Sequence, residues 1–492
     1  MVSKQKTLKF SAYSGLYDIL VKPDNIFRRL HDDIDFVSLT NVLLSTYSDF
    51  FGRYAYPPDY MFKLCLLKVM TDLSDIDLVE EVNVNMAYKY FLDMSPEEMT
   101  CHPSTLCVFR RNHIGGTDLL GDLVMTTFRF AEEAGIKTRV NGKFHVRGII
   151  DATHMMSLYG IHRPVPVLKE QSKKLRRALY ETDEELAGRL AKDRDIAATD
   201  LTAEMVYCKG LLACVERNFP ACLKVDKVRK AHNRLKELVD DIADYYSYDP
   251  DAGLGHKSAD TEFFGYKATL LMDADTGLVT AAAVTSGEVG DALPGMEVAK
   301  EVIASDDFQL TELSGDTAYS GQPFLDLAAS QGFDILTTPH PLLGTGIDGR
   351  DGFTFNKDAD LFCCPAGDLA TGKRTVTYKK DNNRTSIIYR FSPQHCATCP
   401  LRETCLGKAR EKTFSVSRLT PEQQKLLSDS QSPEYRRRRK ERYKIEALNS
   451  HLKSGYAFRK AQGKGKEMMT LQAAIAIFAY NMKKIYATMA KK

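Results

Sequence analysis

The sequence predicts a mixed α/β fold with a helical leader and two insertions, and three observations predict it. Two short apolar runs each deliver an aspartate at or just past their end, Val146 to Asp151 and Leu310 to Asp316. Between them stand Tyr266 to Met272 and Gly277 to Val284, joined by the turn-rich Asp273-Ala274-Asp275-Thr276, which is a β-hairpin pattern. Helix-prone stretches precede, interrupt and follow these strands, so the layers are helices on a mixed sheet with acids gathered at one edge.

The elements follow in order. Residues 1–140 read as helical: Tyr60 to Met70 is apolar at helical spacing, Asp75 to Phe91 follows, and Pro103 to Arg111 closes the series. Ser104 is the expected N-cap of that last helix, which would present Arg110 and Arg111 as a helix-turn-helix-like DNA-binding element. Residues 141–163 hold the first strand. Residues 164–258 read as a helical insertion, basic at Lys169 to Arg177 and at Lys224 to Arg234. Solvated helices and a DNA contact account for that charge equally well. Asp249 to Lys257 reads as a loop back to the sheet, with Lys257 and Lys267 as candidate phosphate contacts. Residues 259–342 carry the hairpin, a helix over Gly295 to Ile303, the second aspartate strand and a buried strand over Phe333 to Thr338. Residues 343–432 form a second, cysteine-rich insertion with strand-like pieces at Tyr378 and Ile387 to Tyr389. Residues 433–492 return as helices, with Leu471 to Tyr480 too short for a membrane span and read as packed.

The 492 residues suffice for about three or four domain-sized units. A net charge of +2 excludes a uniformly basic nucleic-acid binder. The positive charge is local instead, at Arg436 to Lys444 and at Arg459 to Lys466. Met1 to Phe10 is polar and basic without the apolar centre of a secretory signal, so the expectation is a soluble, cytoplasmic protein. Its 11 cysteines are then mostly reduced thiols. Six are scattered as small hydrophobes. The other five cluster, with Cys363-Cys364-Pro365 upstream of Cys396-x2-Cys399 and Cys405. The spacing fits tetrahedral Zn²⁺ on Cys364, Cys396, Cys399 and Cys405, with Cys363 or His395 as substitutes. A thiol cluster without an ion, or a redox pair, fits the same residues.

Chemistry is most concentrated in Arg436-Arg437-Arg438-Arg439-Lys440-Glu441-Arg442-Tyr443-Lys444-Ile445-Glu446, continuing to Lys453. On a helix, Arg442, Glu446 and Lys453 lie at i, i+4 and i+11 and share a face. One carboxylate in a dense positive field suits a phosphodiester backbone laid along the helix, with Glu446 holding a metal ion against it. Ordinary i,i+4 ion pairs on a solvated helix are the alternative. Asp151 and Asp316 make a set of three carboxylates, and hard Mg²⁺ or Mn²⁺ ions prefer such oxygen ligands. Two such ions about 3.5–4 Å apart can activate a water or a 3′-hydroxyl and stabilise the leaving oxygen.

On these residues the chain resembles the DDE transposases of bacterial insertion sequences, from about Asn25 to Ile485. Phe263-Phe264-Gly265-Tyr266-Lys267, Ser314-Gly315-Asp316-Thr317-Ala318-Tyr319 and Asn481-Met482-Lys483-Lys484-Ile485 are further similarities. The resemblance implies a ribonuclease H-like catalytic domain with Asp151, Asp316 and Glu446 as its triad. The family's Tyr-x2-Arg-x3-Glu-x6-Lys signature is kept at Arg442, Glu446 and Lys453, with Arg439 at the tyrosine position. The cysteine cluster is similar to an insert in one branch of the family and would make a small zinc-ribbon-like, β-rich module. Implied with these are Mg²⁺ (or Mn²⁺) at the triad, and double-stranded DNA partners, both terminal inverted repeats and target. A homodimer in the synaptic complex and an association with the nucleoid are implied too. DNA contacts are expected at Arg110, Arg111, Arg439, Arg442 and Lys453. A repurposed, non-catalytic DNA-binding regulator and a metal-dependent nuclease without strand transfer are the rival expectations.

Overall fold

A computed structural model describes residues 11–48, 54–114, 119–183, 186, 190, 200–243, 245–258, 261–339, 352–356, 358–378, 384–417 and 419–491. The readings of Met1 to Phe10 and of the start of the second insertion, 343–351, lie outside them. The chain divides into two compact units, one of residues 1–155, 266–462 and 466–492, the other of residues 156–265 with 463–465.

The first unit is built on a curled mixed sheet whose long strands are β1 (Lys143–Met156), β2 (Thr261–Asp273), β3 (Val279–Ser286), β4 (Phe308–Ser314) and β5 (Asp334–Leu336). Their order is β3-β2-β1-β4-β5. β2 and β3 are the expected antiparallel hairpin, and β4 runs parallel to both β1 and β5. The hairpin turn closes because Asp273 accepts from the Thr276 N–H and hydroxyl at 3.2 and 2.7 Å, while Gly277 takes φ +74°. Asp273 is fully buried, and the Lys137 ammonium at 2.8 Å offsets its charge. The parallel strands alternate apolar residues such as Phe144, Val146, Phe308 and Leu310, which are buried, with polar ones such as Arg147 and Gln309 that are less so. The edge strand β3 is closed by a side chain. Asn481, buried in the C-terminal helix Lys466–Met489, accepts from Val279 N–H at 2.9 Å and donates to Val279 C=O at 3.0 Å. An amide thus does for β3 what a neighbouring strand would. Among the described residues no helix is long and apolar enough to cross a membrane.

The N-terminal region is helical as expected, with two local corrections, and a third falls further along the chain. The Tyr60–Met70 pattern forms the helix Pro58–Thr71, buried on nearly every side against the C-terminal helix. Asp75 to Phe91 is two helices rather than one. Asn85 splits them by capping the second, its side chain accepting from the Ala87 and Tyr88 N–H groups. The last helix, Pro103–Phe109, is capped by His102 and not by Ser104, which lies inside its first turn. Finally, Asp249 to Lys257 is not all loop: Gly253–Ser258 is a strand antiparallel to the start of β2.

The second unit is helical, as its charge pattern predicts. Helices Pro164–Thr182, Leu201–Asn218 and Asp226–Asp240 bury Leu168, Leu175, Leu179, Leu211, Leu212, Val215, Leu235 and Leu238 in a core of their own. The cysteine-rich stretch is β-rich. Three antiparallel strands, Gly372–Tyr378, Arg384–Arg390 and Thr413–Ser417, pack with a small hairpin around Phe353, Phe362, Tyr389, Phe391 and Phe414.

Candidate active site

Parallel register brings the two aspartates together. Ile149 in β1 pairs with Ser314 in β4, which sets Asp151 and Asp316, each two residues further on, side by side. β1 runs on to Met156, so Asp151 lies within its strand and not at its end as expected, whereas Asp316 follows the end of β4. Strand spacing sets their backbones about 5 Å apart. Asp316 also caps the single turn Thr317–Ser320, accepting from Ala318 N–H at 2.8 Å, which fixes its carboxylate at the strand end. The Tyr319 ring fills the space behind both acids. A Cβ on Gly315 would lie 2.6 Å from that ring and one on Gly295 2.4 Å from it, so both positions demand glycine for close approach.

The expected basic helix is broken. It forms Pro433–Lys440, a turn at Glu441 and Arg442, and then Tyr443–Gly455. Glu441 is drawn out of the helix by Arg147 at 3.3 Å and Lys444 at 2.7 Å, and Lys444 also donates to the Ala274 carbonyl at 2.9 Å. The second helix anchors through buried Ile445, Leu448 and Leu452. The face flanking these, roughly a right angle round the axis, carries Arg442, Glu446 and Lys453 as predicted, and Asn449 with them. One guanidinium nitrogen of Arg442 lies 3.6 Å from Asp151 Oδ1 and 3.7 Å from Glu446 Oε1, so the helix and strand acids share one cation. Asp151 Oδ2 accepts from the Asn449 amide at 3.1 Å. Lys453 reaches His154 Nδ1 at 3.4 Å.

The electrostatics of the site centre on Asp151. Burial pushes its pKa up to about 6; Arg442 and the Ala152 N–H oppose that, and the like charges of Asp316 and Glu446 add to it. Three acids facing one another raise the cost of ionising the most buried of them, which is the electrostatic condition a divalent cation relieves. The donor set fits a hard cation in kind, being carboxylate oxygens with one amide oxygen, Asn449 Oδ1, that is buried without a partner. Among the described residues, however, no three His, Cys, Asp or Glu side chains are gathered tightly enough to hold an ion as they stand. The position of Arg442 between Asp151 and Glu446 gives the physical reason at this site.

The remaining expected residues separate. Arg439, Arg436, Arg437 and Lys440 are exposed. Arg111 is exposed as well, but Arg110 is buried and makes a bidentate pair with Asp75 at 3.0 and 2.7 Å, so its guanidinium is not presented to solvent. Lys267 is taken up by Asp291 at 2.9 Å and the Val289 carbonyl at 3.0 Å. Cys364, Cys396, Cys399 and Cys405 line one small cavity together with His395 and Asp368. The Asp368 N–H points at the Cys364 sulfur at 3.3 Å. Cys363 lies in the preceding strand and does not line that cavity.

Comparison with known families gives two matches. Residues 16–112 match the model described as Transposase domain (DUF772), and residues 363–486 match that described as Transposase DDE domain. The two matches support a DDE transposase of the insertion-sequence type. No curated protein and no solved structure matches it. The second matched segment contains Arg442, Glu446, Lys453 and all five clustered cysteines, whereas Asp151 and Asp316 lie outside both segments. The two aspartates therefore rest on the parallel register above. Asn449 was not singled out from the sequence although it was within reach, because 442, 446, 449 and 453 form one helical stripe. Tyr319 stood at the end of a family-like motif in the sequence, but its place behind the acids comes from the fold.

Proposed function

We propose that this transposase cuts the ends of its element and joins them to target DNA at Asp151, Asp316 and Glu446. The carrying observation is the parallel register that sets Asp151, within β1, beside Asp316, just past the end of β4, with Glu446 tied to Asp151 through Arg442. The strand order β3-β2-β1-β4-β5, with one acid on the central strand and one after its parallel neighbour, supports a ribonuclease H-like reading of this core. Mg²⁺ or Mn²⁺ held by the three carboxylates would supply activation of the attacking oxygen and stabilisation of the leaving one.

The chain's own residues do the rest. Water attacks phosphorus at the element end, the bond from phosphorus to the 3′ oxygen breaks, and a 3′-hydroxyl and a 5′-phosphate result. That hydroxyl then attacks a target phosphodiester, exchanging one P–O bond for another, so no protein nucleophile is required. Arg442 leaves its two long carboxylate contacts to pair with a backbone phosphate beside the cut. Lys453, Arg439 and Arg111 add phosphate contacts that position the duplex without reading its sequence. Two ends held in one synapse call for two copies of the chain. The four cysteines lining one cavity support a structural Zn²⁺ in the β-rich module.

The test is strand cleavage and joining on a plasmid carrying the gene with its native flanks, in Mg²⁺, in EDTA and with Asp316→Asn. Cleavage with joined product, absent from both controls, is expected. Tight flank binding without cleavage in Mg²⁺ would overturn the reading in favour of a DNA-binding regulator. Cleavage without joining would reduce it to a nuclease.

A further inference from the structure

Asn449 occupies a place in the carboxylate site that its residue type does not explain by packing. It lies three residues after Glu446 on the helix Tyr443–Gly455. At about 100° per residue, Arg442, Glu446, Asn449 and Lys453 fall within roughly 60° of one another around the axis. Its Nδ2 donates to Asp151 Oδ2 at 3.1 Å, while Asp151 Oδ1 faces Arg442. The orientation of the amide follows from chemistry, since an ionised carboxylate only accepts and the NH₂ group must face it. That leaves Asn449 Oδ1 on the other side, buried and without a hydrogen-bond partner. The Nε of Arg442, the arginine that faces Asp151, is likewise buried and unpaired. Unsatisfied buried polar atoms are uncommon and costly, and two on side chains that both meet Asp151 mark a place completed by something polar.

We propose that Asn449 is a positioning residue of the carboxylate site, fixing Asp151 through its amide N–H and offering its carbonyl oxygen to a water bound on a divalent cation. The proposal rests on the reading of Asp151, Asp316 and Glu446 as the cation's ligands. By clamping Oδ2, the amide leaves Oδ1 as the oxygen presented toward Glu446. A side chain that orients a ligating carboxylate from behind typically sets metal affinity by 10–100-fold. Without the clamp the Asp151 carboxylate turns freely about its last bond, and the presented oxygen is no longer set in advance.

The experiment is a Mn²⁺ titration of the full-length protein without DNA, followed by calorimetry or by the loss of the free-ion electron-spin signal. Wild type, Asn449→Leu, Asn449→Ala and Asp151→Asn are compared, with metal-free melting temperatures measured alongside. Asn449→Leu keeps the side chain's approximate volume and removes both polar ends. About 10–100-fold weaker Mn²⁺ binding with little change in metal-free melting is the expected result. Asn449→Ala, which leaves room around the helix, must show the same loss if the leucine variant does not fold. Mn²⁺ binding within twofold of wild type in either folded variant would overturn the proposal. So would a weakened affinity that comes only with collapse of the metal-free melting temperature, because that is the signature of a packing role. Wild type that shows no saturable Mn²⁺ binding lost in Asp151→Asn would sink the carboxylate reading itself. In that case the clamp has no ligand to orient.

Discussion

Asp151→Asn should make the metal-free protein more stable, and only at high pH. Burial and the charges of Asp316 and Glu446 raise the Asp151 pKa from 3.8 to about 6, even with Arg442 3.6 Å away. An acid whose pKa is raised on folding favours the folded state most when protonated. That contribution is complete below pH ~4 and is lost as pH rises through about 6. A shift of about two units at ~1.4 kcal/mol per unit gives roughly 3 kcal/mol of strain at pH 8. The Asp151 side chain is only 16% exposed, so solvent screening trims this estimate without erasing it. With an unfolding entropy of about 2.1 cal/mol/K per residue, 1 kcal/mol moves the midpoint of so large a unit by roughly 1 °C. The variant should therefore melt a few degrees above wild type at pH 8 and draw level only near pH ~3, below both pKa values. Millimolar Mn²⁺ should raise the wild-type midpoint at pH 8 and leave the variant's where it was. Scanning calorimetry at the two pH values reads all of this. If Asp151→Asn melts below wild type at pH 8 without metal, Asp151 is a stabilising counter-ion of Arg442 and the reasoning is wrong.

Two other outcomes follow from the same geometry. Arg110→Leu should cost about 3 kcal/mol of stability by stranding Asp75 half-buried beside Lys68, whereas the neighbouring Arg111→Ala should leave stability within about 0.5 kcal/mol. Arg111→Ala should instead lower the salt dependence of DNA binding by about one counter-ion, as read in filter-binding isotherms at several salt concentrations. Purified protein should carry about one Zn²⁺ per chain by elemental analysis, lost on Cys396→Ser or Cys399→Ser and kept in Cys363→Ser, because Cys363 does not line the shared cavity. Zinc-free protein that melts like the native one would remove the structural role.

What was legible in the sequence was whatever a local pattern encodes. Apolar runs gave β1, the β2–β3 hairpin and β4, and the Gly/Ser-rich turn gave the end at which Asp316 emerges, but the continuation of β1 past Asp151 to Met156 was not legible. The helical spacing of Arg442, Glu446 and Lys453 survived intact. Long-range pairing was not legible. Arg110 reads as a surface arginine on a basic helix, and only Asp75, 35 residues earlier, takes it inside. The break at Glu441 is equally invisible, since a run from Arg436 to Lys453 has ordinary helix formers throughout and no proline or glycine before Gly455. It needs Arg147 on a strand nearly three hundred residues away. His102 displaced Ser104 as a cap because its ring nitrogen accepts from the Ser104 N–H, which starts the helix before Ser104 and leaves that serine inside the first turn.

The break at Glu441 also explains how the third acid finds the other two across an insertion of nearly a hundred residues. Chain continuity cannot fix Glu446, because the β-rich module intervenes between β5 and its helix. The strands that carry the aspartates do it instead. Four residues before Asp151 and four before Asp316 stand Arg147 and Glu312, which are direct partners in the parallel ladder of β1 and β4. Glu312 is almost fully buried and accepts from Arg438 Nε at 3.0 Å and from Arg147 Nε at 3.4 Å. Arg147 reaches on to Glu441. The helix Pro433–Lys440 and the turn after it are thus gripped by the same two strands, at a fixed distance of about 13 Å along them from the acids. A buried Arg–Glu–Arg group of this kind contributes little net stability, since its desolvation offsets much of its attraction. What it supplies is register: a shift of either strand or of the helix by one residue strands a charge in the interior. Placing that requirement on β1 and β4 ties the position of Glu446 to the ladder that already sets Asp151 beside Asp316.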